Sequence, residues 1–276
     1  MKKTLIKVNN YNDLKYLSDG FILGVLDYSF LFSKTFSVKE IKQIIKENKD
    51  KEIFAELNYI VPNSKIYEYK NVLKSLDKLG LKGIIVGDIA ALTYNLETPI
   101  ILNQLHLNNS SLTINHYYKN GVAGFILTND ITIDEINTIR KNTKAILFKE
   151  VFTLPHLSTS LRKLLSNYKN YFDIDSNNKN YYICENKKNA YYSVIEDSYG
   201  THILGSKVLN LFDELDYLDV NYIILNNYML DNEKFKKVLD IFINNDKENS
   251  FYIKNEFDTD KGFINKKTIY KVKKDE

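Results

Sequence analysis

The chain has 276 residues, 44% of them hydrophobic and 26% charged, which is globular composition with length for one sizeable core. Its 38 basic and 35 acidic residues leave a formal charge of +3, too small by itself to mark a nucleic-acid binder. Cys184, the single cysteine, excludes an internal disulfide and an all-cysteine metal site. No apolar run of about 18 residues and no signal-peptide core are present, so the cytoplasm is the expected compartment and a membrane is not an expected partner.

From residue 21 onward, short apolar runs alternate with segments of helical period. The runs are FILGVL at 21–26, IFAEL at 53–57, GIIVG at 83–87, PIIL at 99–102, GFIL at 124–127 and AILFK at 145–149. Helical segments fill 37–49, 64–80, 88–95, 110–121 and 132–142. In the first of them Val38, Ile41, Ile44 and Ile45 share one stripe. Ser37 with Glu40, and Thr132 with Glu135, have the spacing of capping boxes. Gly80 and Gly121 stand where helices should stop.

Uninterrupted apolar runs are the pattern of strands buried on both faces. Their alternation with helices predicts a parallel sheet, and the length favours closure. A doubly wound sheet would show a Gly-rich phosphate turn after its first strand, where this chain has LDYSF at 26–30. The rhythm breaks after Phe152. YYICEN at 181–186 and AYYSVIED at 190–197, joined through the polar residues 186–189, read as a hairpin. Alternation resumes with 208–218, 222–227 and 233–244. The expected fold class is therefore α/β: a single TIM-like (β/α) barrel domain over 1–276, with a β-hairpin insertion after the sixth strand. The insertion spans 153–207, and a basic C-terminal tail spans 262–276.

A barrel carries its chemistry at the C-terminal strand ends. Those positions hold Glu56, Asn58, Asn103 and Glu150, accompanied by Asp27, Asp88, His106, Asn129 and Asn226. Glu56 and Glu150 are candidates for an acid–base pair, or else for loop-bracing carboxylates. The loop after Phe152 adds His156, Ser158, Ser160 and Arg162 without a nucleophile elbow. A second dense stretch, Glu196, Asp197, Thr201 and His202 around Gly200, fits a tight turn that either braces itself or shapes a pocket. The four histidines lack the spacing of a zinc helix, so no metal site is expected. Only Arg140 and Arg162 are arginine among the basic residues, and Arg162 has the planar fork that suits a carboxylate or phosphate. The Lys-rich tail is either a phosphate-contacting segment or a solvated end.

EVFTLPHLSTSLRKLLSNY at 150–168, EDSYGTHILGSKVLNLFDEL at 196–215 and GFINKKTIYKV at 262–272 together resemble peptidase family U-32, the collagenase-like proteins. GVAGFILTNDITIDEI at 121–136 also fits, so the resemblance covers most of the chain. It implies a barrel-like α/β fold. It also implies a role in tRNA hydroxylation at the wobble uridine, using prephenate and an iron–sulfur cluster. Short members of this kind occur beside a longer, cysteine-bearing paralogue. At the positions of the family's cysteines this chain has Ser158 and Leu165. A cluster needs about four thiolates, so no cluster is expected in this chain alone. The resemblance thus implies an accessory subunit, with the cysteine-bearing paralogue and tRNA as partners, and Ser160, Arg162 and Asn167 bracing the rim loop or holding an anion. Two alternatives stand beside it: a collagenase-like peptidase, and a non-catalytic barrel that binds a small molecule.

Overall fold

The computed structural model describes residues 2–105, 107–175, 181–185, 187 and 189–266. Eight parallel strands close on themselves: β1 (Lys3–Val8), β2 (Gly20–Gly24), β3 (Glu52–Leu57), β4 (Gly83–Val86), β5 (Ile100–Leu102), β6 (Val122–Ile126), β7 (Ile146–Thr153) and β13 (Tyr222–Asn226). β13 pairs with both β1 and β7, which leaves the barrel no edge. α1 (Val38–Glu47), α2 (Ile66–Leu76), α3 (Ser111–Lys119) and α4 (Ile133–Lys141) cross between barrel strands, single 3-10 turns join β1 to β2 and β4 to β5, a longer insertion separates β7 from β13, and α6 (Asn232–Asn244) follows β13.

Strand alternation sorts the core into two layers. Leu5, Ile22, Phe54, Ile85, Ile101, Ile126, Phe148, Tyr222 and Ile224 fill the barrel, so every strand contributes. The Phe148 and Tyr222 rings stack at 4.5 Å, and Phe54 meets Phe148 edge-on at 5.7 Å. The outward-facing residues of the same strands pack beneath the helices with Ile41, Leu73, Ile136 and Phe235. Both capping boxes form. Ser37 and Thr132 accept from the backbone N–H of Glu40 and Glu135, whose carboxylates accept in return.

Three expectations need correction. The strand counted first is the second, because Lys3–Val8 is itself a barrel strand. Its apolar run is interrupted by Lys3 and Lys7, which hid it. The insertion therefore follows the seventh barrel strand. It is also more than a hairpin. β8 (His156–Ser160), β9 (Tyr181–Glu185), β10 (Ala190–Asp197) and β11 (Gly200–Leu204) form a four-stranded antiparallel sheet in the order β8-β11-β10-β9, with α5 (Leu164–Tyr171) against it. The predicted β9–β10 pairing is present. Finally, 88–95 and 208–218 are not α-helices. The first is a 3-10 turn, and the second begins as β12 (Val208–Asn210) before another 3-10 turn.

β12 returns from the insertion to pair antiparallel with the end of β7, and β14 (Thr259–Asp260), which follows α7 (Phe251–Glu256), pairs with β12. The insertion is thus held at its base by the barrel's own sheet. Residues 267–276 of the basic tail, and His106, lie outside the described residues.

Candidate functional site

Two residues past the apolar filling, the same alternation points polar side chains into the barrel mouth. Leu5 is followed by Lys7, Phe54 by Glu56, Ile101 by Asn103, Phe148 by Glu150 and Ile224 by Asn226. Glu56 is fully buried. Its Oε2 lies 3.0 Å from Lys7 Nζ, and its Oε1 accepts from Asn103 Nδ2 at 2.9 Å. Lys7 Nζ is also 3.6 Å from Glu150 Oε1 and faces the Phe32 ring at 5.3 Å. Burial drags the Lys7 pKa down, but Glu56 and Glu150 outweigh it and leave the pKa raised. One ammonium thus serves two carboxylates. The pair proposed for acid–base work is brought together, yet it is bridged by a cation that the sequence reading missed along with β1.

The neighbouring amides hold the mouth open. Asn58 Oδ1 accepts from Phe30 N at 2.9 Å while its Nδ2 donates to Phe30 O, pinning the loop after β2. Asn226 Oδ1 accepts from Asn9 Nδ2 at 3.0 Å and from Tyr228 N. Asp88 caps its 3-10 turn, and Asp27 is exposed with φ 66°. Asn129 lies beside Glu150, and its Oδ1 accepts from Lys149. Lys149 faces outward from the barrel, buried, with its Nζ donating to Thr128 O at 3.0 Å. Burial lowers its pKa to about 8.

The insertion roofs this mouth. Between floor and roof lies a cavity of about 550 Å³, with Lys7, Asn103, Glu150 and Asn226 below and Phe30, Leu105, Leu154, Leu157 and Leu161 around it. A smaller cavity of about 190 Å³ adjoins it, and Asn103, Leu105, Glu150, His156 and Leu157 line both.

In the roof a chain of side chains runs from strand to strand. Asp197 Oδ1 is 3.1 Å from His202 Nε2, His202 Nδ1 is 2.8 Å from Thr159 Oγ1, and Thr159 Oγ1 is 2.7 Å from His156 Nε2. His156 Nε2 also lies 2.9 Å from Ser158 O. His202 is fully buried and stacks on Phe30 at 4.6 Å, stapling the insertion to the loop after β2. Burial brings the His156 pKa down to about 4. Thr159, on which both histidines converge, was not singled out in the sequence. Only its alternation with Ser158 and Ser160 on β8 could have placed it.

Glu196 and Thr201 do a different job. Glu196 accepts from Leu165 N at 2.8 Å, Ser166 N at 3.2 Å and Thr201 Oγ1 at 2.9 Å, at the start of α5. Burial raises its pKa, but the bonds from Ser166, Thr201 and Leu165 prevail and leave it lowered. The single hydrogen of Thr201 Oγ1 is shared between Glu196 Oε2 and Arg162 O, each 2.9 Å away, and the oxygen accepts from Leu164 N. Ser160 Oγ accepts from Arg162 N at 3.2 Å. The side chains of Arg162 and Asn167 are exposed and do not line the cavity. Of the sequence candidates, then, Glu56, Asn58, Asn103, Glu150 and His156 meet at the mouth. Asp197 and His202 stand behind His156, while Ser160, Glu196 and Thr201 fasten α5.

The described residues contain no group of three or more His, Cys, Asp and Glu side chains arranged to hold a metal ion, and no helix long and apolar enough to cross a membrane. The cluster that the resemblance associates with cysteine-bearing members does not fit the donors of this chain. Its one thiol, Cys184, is exposed on β9 in the insertion, and four thiolates are needed.

Comparison with known proteins agrees with this architecture. The chain is 24% identical over 212 residues to tRNA hydroxylation protein P2 of Bacillus subtilis (strain 168), covering 72% of this chain and 68% of that protein. The solved structure of the U32 peptidase Mk0906 superposes with a TM-score of 0.53 at 12% identity, over 82% of this chain and 92% of that one, a likeness of fold. The family model for peptidase family U32 matches residues 13–256, and the chain belongs to that family.

Proposed function

We propose that this protein is an accessory subunit in tRNA hydroxylation at the wobble uridine, working with a cysteine-bearing paralogue that supplies the redox centre. The observation that carries this reading is the similarity to tRNA hydroxylation protein P2 across 72% of the chain. The chain's single thiol supports a division of labour, since a cluster would have to come from the partner. The roofed cavity gives the chain a place for a small molecule, and the Lys-rich C-terminal segment favours contact with RNA backbone. In this role the protein works in the cytoplasm.

The test is co-expression with a cysteine-bearing family member in cells deleted for their own tRNA hydroxylation proteins. Nucleoside mass spectrometry should recover 5-hydroxyuridine only when both are present, and the two should co-purify. The absence of both complex formation and hydroxylated uridine would refute the reading.

A second reading, a peptidase, is favoured by one observation. Asp197, His202 and the Thr159 hydroxyl stand in the order acid, base, hydroxyl at 3.1 and 2.8 Å. Hydrolysis of gelatin or casein that is abolished in Thr159→Val and His202→Asn would support it, and inert wild-type protein would dismiss it.

A further inference from the structure

From the charge of its floor and the proton order of its roof, we infer that the barrel-mouth cavity takes an uncharged ligand with an apolar body and an N–H or O–H group, which donates to His156 Nδ1, and that it rejects carboxylates.

The roof fixes the tautomer of His156 by elimination. Ser158 O is a carbonyl and can only accept, so the nitrogen 2.9 Å from it, Nε2, carries the hydrogen. That N–H also faces Thr159 Oγ1 at 2.7 Å, so the hydroxyl accepts there and turns its own hydrogen to His202 Nδ1. With Nδ1 accepting, a neutral His202 carries its hydrogen on Nε2, facing the Asp197 carboxylate at 3.1 Å. Every link has one donor and one acceptor, and the reverse order would set a bare Nε2 lone pair of His156 against Ser158 O and a bare Nε2 lone pair of His202 against the Asp197 carboxylate. In neutral His156 the remaining nitrogen, Nδ1, holds a bare lone pair with no protein partner among the described residues, in a ring that lines both cavities. Burial keeps the ring neutral well below pH 7, its pKa lying at about 4. The roof therefore presents an acceptor.

Among the described residues the floor has one cation, Lys7, and it is already engaged. Lys7 lies 3.0 Å from Glu56 and 3.6 Å from Glu150, so with both carboxylates ionised the trio carries a net negative charge. Lys149 is engaged by Thr128 O and Asn129 Oδ1 and lines neither cavity. Arg162, the residue suited to an anion, is exposed and outside the lining. A carboxylate entering the larger cavity would meet Glu150 with no free cation among the described lining residues to compensate. A neutral amide or ring N–H meets Asn103, Asn226 and His156 Nδ1, with Leu105, Leu154 and Leu157 around its apolar body. This selectivity holds with or without a role in tRNA hydroxylation.

The test pairs ligands of one shape and two charges: 3-phenylpropanamide against 3-phenylpropanoate, and benzamide against benzoate. Full-length protein labelled with ¹⁵N-histidine is titrated at pH 7, the His156 signals being assigned with His156→Asn. Without ligand, Nδ1 should resonate as the unprotonated nitrogen from pH 5 to 8. Each amide should shift it upfield and bind about tenfold more tightly than its carboxylate, and Glu150→Gln should narrow that gap to about twofold. A His156 protonated on Nδ1, carboxylates that bind as well as amides to the wild type, or amides that leave Nδ1 unmoved would each overturn the proposal. The tautomer signature is read on wild-type protein, so it stands even if Glu150→Gln does not fold.

Discussion

Lys7→Met removes the ammonium that neutralises the barrel floor while keeping most of the side-chain volume. Glu56 is fully buried and would retain only the Asn103 amide as a described side-chain donor, and Glu150 would lose its nearest cation. Stripping one partner from a buried ion pair costs about 3–5 kcal/mol. For a chain of this size, at about 2–4 °C per kcal/mol, the melting midpoint should fall by roughly 6–20 °C. The double variant Lys7→Met/Glu56→Leu should recover most of that loss, because exchanging a whole buried pair for apolar side chains is often close to neutral. Calorimetry or circular dichroism on the two proteins reads the difference. The exposed pair Lys207–Asp258, at 2.9 Å, provides the contrast. Lys207→Met should leave the midpoint within error despite the equally short contact, since water screens it. A single variant that melts with the wild type, or a double variant no better than the single, would refute a desolvated floor held by one lysine.

Acidification should destabilise the fold in a defined window. Unfolded His156 takes up its proton near the ordinary histidine value of 6.5 and folded His156 only near 4, so between them the unfolded chain binds more protons. The contribution is whole above about pH 6.5 and is lost as pH falls towards 4. Urea titrations at pH 7, 5.5 and 4.5 should show this, and His156→Asn should flatten the slope. Glu196, held low by its bonds to Ser166, Thr201 and Leu165, and Asp197, held low by His202 and the amide of Tyr199, extend the loss into the carboxylate range. Glu196→Ala should speed amide exchange across Leu164–Tyr171 by about tenfold or more through the loss of charge-assisted bonds, with the global midpoint little changed. Gly200 has φ +133°, and a Cβ there would lie 2.0 Å from Ser160 O. Gly200→Ala should cost at least about 1–3 kcal/mol and raise exchange in β8 and β11 together, with exchange in the barrel unaltered.

Most of the barrel was legible because fully buried parallel strands advertise themselves as unbroken apolar runs. Ile53 to Leu57 and Gly83 to Val86 needed no context. β1 broke that rule because Lys7 points inward from it, and a lysine inside a barrel is explained only by Glu56 and Glu150, 49 and 143 residues away. The carboxylates were visible as strand-end residues, but not the cation between them. Similarly, His156, Asp197 and His202 drew notice for their chemistry. The order that links them runs through Thr159, which depends on the register pairing His202 with Thr159 across β11 and β8. Cross-strand register is set by long-range pairing and bulges, and it leaves little local trace. α5 was invisible as a packed helix because it buries no residue fully, so it has no apolar stripe to read.

That thinly buried helix sets the mechanics of the mouth. The closed barrel cannot lose one strand without losing neighbours on both sides, so its rim opens only with the whole molecule. The roof is a small open sheet whose strands, β11 aside, have no fully buried residue; it is stapled by the Phe30–His202 stack and by Glu196. The cavity therefore has one rigid wall and one that lifts at lower cost. A bound molecule touching both would make the two melt as a single unit.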